Sequence, residues 1–124
     1  PCSVGAAHPV ESPITRLVCL CRLRLCDGVP VMLEINHFPP KYEPLLQQDV
    51  SGSLYDLLCQ LGAVPTSATH DISLGHATPM VSRQLSTEPG EALLILDELV
   101  LAQHGEPLHL SRQWIRGDRY TFRI

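Results

Sequence analysis

Aromatic side chains are scarce. They make up 5% of the 124 residues, so the 44% hydrophobic share must fill a core with aliphatic groups. Long apolar runs are absent: none is longer than Ala92 to Leu96, which falls far short of the roughly 20 residues of a membrane-spanning helix, so no membrane partner is expected. No basic start leads into an apolar stretch, so nothing reads as a signal peptide. Positive charge is in deficit, with a formal net charge of −4. Proteins that grip duplex DNA usually present a basic face, which argues against direct DNA binding by these residues. The five cysteines, Cys2, Cys19, Cys21, Cys26 and Cys59, are odd in number and contain no CxxC pair. They read as reduced, mostly buried thiols of a cytoplasmic protein. No G-x-S-x-G, P-loop or dinucleotide fingerprint occurs, and Ser, His and Asp residues single out no triad. None of the six histidines, His8, His37, His70, His76, His104 and His109, stands in H-x-x-x-H spacing to another, and no Cys pair accompanies them. Neither a metal nor a cofactor is expected. The chain opens at Pro1 without a Met and reads as a piece of a longer protein.

What is present is a set of short periodic segments, of a length usual for one domain. Residues 1–13 are rich in Pro, Ser, Gly and Ala and read as an irregular lead-in. Thr15 to Cys26 follows a period of two, with Val18, Leu20, Arg22 and Arg24 on one face and Leu17, Cys19, Cys21, Leu23 and Leu25 on the other. Asp27-Gly28 signals a hairpin into a return strand from Val29 to His37. A two-residue turn pairs Arg24 with Val31 and sends Glu34 to the far face. A three-residue loop, Cys26-Asp27-Gly28, pairs Leu25 with Val29 and Arg22 with Met32, and brings Glu34 to the face of both arginines. Turn statistics alone do not decide between them.

Phe38-Pro39-Pro40 ends that strand, and residues 41–48 have room for a short helical turn at most. Ser53 is a good N-cap, with Asp56 three residues on. Leu54, Leu57, Leu58 and Leu61 then recur at helical spacing up to Gly62. Ala68 to Ser73 reads as a strand. Thr78-Pro79 opens a further helix to about Leu85. Glu91 to Gln103 and Pro107 to Ile115 form a long hairpin, which Arg119 to Ile124 extends. The expected fold class is α+β, a mainly antiparallel sheet with a few helices.

Four groups of residues have a bearing on function. Arg22 and Arg24 share one strand face, either as an exposed charged surface or as a clamp for a carboxylate or phosphate. Glu34 either neutralises them or accepts hydrogen bonds from a ligand. Ser51 and Ser53, with Tyr55, frame a helix start, whose free N–H groups suit an anion as well as an ordinary cap. Arg116-Gly117-Asp118-Arg119-Tyr120 reads as ion pairs that fix the end of the hairpin.

The anchors Arg22-Leu-Arg24, Asp27-Gly-Val-Pro-Val31, Glu34, Gly52-Ser-Leu-Tyr55, Gly105-Glu-Pro-Leu108 and Arg116-Gly-Asp-Arg-Tyr120 occur in order over about Pro13 to Ile124. In this order they resemble the UTRA domain, the effector-sensing half of GntR-type transcription regulators of the HutC subfamily. The resemblance implies a chorismate-lyase-like fold over the whole chain, residues 1–124. It favours the three-residue hairpin loop. It implies a homodimer that binds a small anionic metabolite and acts on operator DNA, as a repressor for example, only through a separate N-terminal winged helix-turn-helix. By the same resemblance Arg22, Arg24, Glu34, Ser51, Ser53, Tyr55 and His109 are the expected ligand-binding residues. His109 stands where the family often has an acidic residue, which puts sugar-hydroxyl recognition through that position in doubt. The family usually has a further strand ahead of the region matching residues 1–13, and its absence leaves the sheet edge incomplete. The domain is expected not to be an enzyme. A chorismate-lyase-like enzyme and a dimerisation module without ligand are the competing classes. With Arg22 and Arg24 both unpaired cations in a cavity, truncating either is expected to weaken an anionic effector and leave stability nearly unchanged.

Overall fold

The computed structural model describes residues 2–11 and 17–118. Six strands, β1 (Cys2–Glu11), β2 (Val18–Cys26), β3 (Val29–Phe38), β4 (Pro65–His76), β5 (Ala92–Ala102) and β6 (Pro107–Ile115), form one antiparallel sheet in the order β1-β2-β3-β6-β5-β4. A 3-10 helix (Pro40–Gln47) and α1 (Leu54–Gln60) lie on one face, and α2 (Pro79–Leu85) on the other.

Aliphatic side chains fill both layers. Leu54 and Leu58, one helical turn apart on α1, bury against Val18, Leu20, Phe38 and Val100 of the sheet. Leu45 and Tyr42 of the 3-10 helix close the same cluster. Val81 and Leu85 of α2 pack on Leu33 and Leu93 across the opposite face. Both helices start as their sequences require. Ser53 Oγ accepts Asp56 N–H at 3.3 Å and Thr78 Oγ1 accepts Val81 N–H at 3.3 Å, with Pro79 at the first helical position.

Three expectations need correction. The segment read as an irregular lead-in is a strand over its described residues: Cys2–Glu11 lies at the sheet edge, paired along β2. An edge strand is held by backbone hydrogen bonds from one side, and these leave no imprint on side-chain periodicity. The β2–β3 hairpin follows neither proposed register. Cys26 pairs with Val29 and Leu25 with Pro30, which is a two-residue turn with Asp27 at φ 52° and Gly28 at φ 77°. That is the sign pattern of the turn that matches strand twist. An irregularity then leaves Val31 without a partner on β2, so Arg24 meets Met32 and Arg22 meets Glu34. The bulge adds the one residue that restores Glu34 to the arginine face, which the loop was expected to do. Finally β4 runs well beyond Ala68–Ser73, because an edge strand exposed on both faces has no apolar alternation to mark its ends. The expected extension over Arg119 to Ile124 lies outside the described residues.

Cys19, Cys21 and Cys59 are free thiols as expected. Cys26, in contrast, is disulfide-bonded.

Candidate functional site

Strand parity places Arg22 and Arg24 of β2, Glu34 and Asn36 of β3, His109 and Gln113 of β6 and Glu98 of β5 on one face of the sheet. The segment from Ser51 to Leu58 rises over that face. Between them lies a cleft of about 430 Å³, lined by all seven residues singled out from the sequence: Arg22, Arg24, Glu34, Ser51, Ser53, Tyr55 and His109. Asn36, Glu98 and Gln113 also line it and were not singled out. Asn36 lies two residues beyond Glu34 and shares its face by the same parity, so the sequence did hold that signal. Glu98 and Gln113 needed the order of strands, which no local pattern gives.

The two arginines differ. Arg22 is 6% exposed. Its Nε and Nη2 donate to Glu34 Oε1 at 3.0 and 2.8 Å, and its Nη1 donates to the Gly52 carbonyl at 2.9 Å. It is therefore not the unpaired cation expected. It ties β2 to β3 and to the loop that carries Ser51 and Ser53, so its truncation is a stability change as well as a binding change. Arg24, with 44% of its side chain exposed, gives Nη1 to Glu34 Oε2 at 3.3 Å and keeps most of its donors for other partners. Five N–H groups on each guanidinium make this difference countable.

His109 is buried and stacked on Phe38, with ring centroids 4.6 Å apart and an angle of 4° between planes. Its Nε2 lies 2.7 Å from Asn36 Oδ1. Burial first, then the nearby Arg22 and His37, lower its pKa to about 4. The imidazole is neutral at pH 7. Tyr55 donates its hydroxyl to Glu98 Oε1 at 3.5 Å, and burial with the adjacent carboxylate raises its phenol pKa. Ser51 donates its hydroxyl to Asp49 at 2.6 Å, while Ser53 caps α1. The cleft thus offers a half-exposed guanidinium, hydroxyls from Ser51, Ser53 and Tyr55, and acceptors on Glu98 and His109. Among the described residues no group of three or more His, Cys, Asp or Glu side chains is placed to hold a metal ion, and no helix is long and apolar enough to cross a membrane.

This sheet, with helices over a polar cleft on one face, is the α+β, chorismate-lyase-like architecture of effector-binding domains. The model of the UTRA domain matches residues 10–121, and the chain belongs to that family. Among its relatives is the HTH-type transcriptional repressor NagR of Bacillus subtilis, 27% identical over 121 residues, covering 96% of this chain and 48% of that protein. Another, the uncharacterized HTH-type transcriptional regulator YurK of the same organism, is 27% identical over 117 residues, or 92% of this chain and 47% of that one. The chain spans about half the length of these curated relatives. Two solved structures share the fold. PhnF from Mycobacterium smegmatis superposes with a TM-score of 0.87 at 21% identity, over 98% of this chain and 61% of that one. The C-terminal domain of the histidine utilization repressor from Pseudomonas syringae gives 0.83 at 18% identity, over 98% and 94%.

Proposed function

We propose that residues 1–124 are the effector-sensing and dimerisation domain of a bacterial GntR-type regulator of the HutC subfamily. An anionic metabolite enters the cleft and changes how a separate N-terminal winged helix-turn-helix meets operator DNA. The observation that carries this reading is Arg24: a half-exposed guanidinium with spare donors, held beside a buried Arg22–Glu34 pair in a polar cleft. The names of the relatives, transcriptional repressor and transcriptional regulator, support a regulatory, non-enzymatic and cytoplasmic role. The likeness to a histidine utilization repressor domain supports the subfamily. A homodimer is supported by the edge strand β4, where Ile72 and Leu74 are 46% and 80% exposed and the outer strand edge has no partner among the described residues. The effector must bind one arrangement of the dimer better than another, because equal affinity for both shifts nothing.

Arg24→Ala tests the site. A thermal-shift screen of sugar phosphates, amino-acid catabolites, phosphonates and fatty acids identifies a stabilising ligand. Charge-assisted hydrogen bonds contribute about 1.5–3 kcal/mol each, so the variant should bind an anionic hit about tenfold more weakly. Wild-type affinity in Arg24→Ala would sink the site. A second expectation follows from the net charge of −4: the isolated chain gives no sequence-specific mobility shift of operator duplexes. A shift that survives physiological salt would overturn it.

A further inference from the structure

Glu98 turns its two carboxylate oxygens to different partners. Oε2 pairs with His70 of the edge strand β4. Oε1 faces the cleft, where it accepts the Tyr55 hydroxyl at 3.5 Å and lies 3.9 Å from His109 Nδ1. Asn36 donates its Nδ2–H to the Leu20 carbonyl at 3.2 Å, so it is Oδ1 that meets His109 Nε2. That nitrogen must carry the ring proton. Reversing the amide would set Oδ1 against the Leu20 carbonyl and the Glu34 carboxylate, two further acceptors. In the neutral ring Nδ1 is then a bare acceptor. It faces a carboxylate oxygen, also an acceptor, across a gap too wide for a hydrogen bond. A donor atom with two or more hydrogens can sit about 2.8 Å from both.

The charges in the cleft give the donor its sign. Arg22 and Glu34 neutralise each other. Arg24 on β2 and Glu98 on β5 remain. Their strands are three positions apart in the sheet order, or about 14 Å between backbones at the usual strand spacing. An anion seated at Arg24 leaves Glu98 to be offset at the other end. A hydroxyl brings one hydrogen to two acceptors and no charge. A primary ammonium brings three hydrogens and the matching charge.

We infer that the gap between Glu98 and His109 is a specificity-determining subsite for a protonated amine, and that the effector carries this amine several bonds from its anionic group. The inference rests on the reading of the cleft as an effector site. Calorimetric titration of the full chain with ω-aminoalkyl phosphates of graded length, each against its matched n-alkyl phosphate, tests both. At least one amine-bearing member should bind about tenfold more tightly than its partner. Glu98→Gln should remove that margin, so that the amine-bearing member binds no more tightly than its alkyl partner, while His70→Ala, which spares the cleft-facing oxygen, should keep it. Equal binding within every pair, with both members weakened by Arg24→Ala, overturns the amine subsite and leaves the effector site standing. No binding by any member at low-millimolar concentration overturns both. Should Glu98→Gln fail to fold, the wild-type margin decides alone.

Discussion

Arg22→Ala should lower the unfolding free energy of this domain by about 3 kcal/mol or more. Glu34 is 2% exposed, and its Oε1 takes two hydrogen bonds from Arg22. Removing the guanidinium leaves a buried carboxylate whose remaining partners are Arg24 at 3.3 Å and Asn36 at 3.5 Å. Breaking one half of a buried ion pair costs about 3–5 kcal/mol, because the other charge stays buried without its counterpart. Arg24 offsets part of that and places the expectation at the lower end. The loop loses its tie as well, since the Gly52 carbonyl no longer receives Nη1 at 2.9 Å. Urea denaturation of Arg22→Ala beside wild type measures the loss. The double variant Arg22→Met with Glu34→Leu should recover most of it, because an apolar pair of similar volume removes both desolvation costs. A single variant within about 1 kcal/mol of wild type would show that the pair contributes little.

That outcome differs from what the two arginines suggested before the fold was known. Parity alone shows that Arg22 and Arg24 share a face, and parity does not tell an exposed cation from one already paired. The difference arises from the bulge at Val31, which sets Arg22 directly opposite Glu34 and moves Arg24 along to Met32. Bulges depend on twist and on cross-strand packing; Pro30, which cannot donate to the ladder, marks an irregularity nearby but not which residue falls out of register. The helices were legible because their signals are local. Ser53 with Asp56 and Thr78 with Pro79 each fix a start within four residues. Strand β1 was not legible, because its partner lies in β2 and its hydrogen bonds are made by the backbone.

The cleft divides in the same way. Arg22, Arg24, Glu34, Ser51, Ser53, Tyr55 and His109 were within reach of strand parity, a capping signal and a family resemblance. Glu98 was not. On sequence it is one carboxylate within an apolar strand, next to Asp97. The two differ because neighbours on a strand face opposite ways. Asp97 pairs with Arg112 on the far face at 2.7 Å, and Glu98 lines the cleft.

His109 should make the domain lose stability in mild acid. Its pKa is lowered to about 4 in the folded chain, chiefly by burial, against about 6.5 for an exposed histidine. Above pH 6.5 the ring is neutral in both states and its contribution is constant. Between pH 6.5 and pH 4 the unfolded chain binds a proton that the folded chain refuses, so stability falls as the pH falls. By pH 5 the loss is about 2 kcal/mol. Arg22 on β2 and His37 on β3 oppose the imidazolium, and Glu98 on β5, at 3.9 Å, is too distant from Nδ1 for a hydrogen bond that would offset them fully. Other groups titrate in this range, so the measurement is a difference. Denaturation curves for wild type and His109→Gln are taken from pH 7.5 to pH 5. The glutamine keeps a donor for Asn36 and does not titrate, and any constant cost of losing the Phe38 stack cancels between the two pH values. Wild type should lose about 2 kcal/mol more than the variant over that interval. Parallel curves would mean that the folded ring accepts its proton as readily as the unfolded one, and that the buried, singly protonated imidazole described here is wrong.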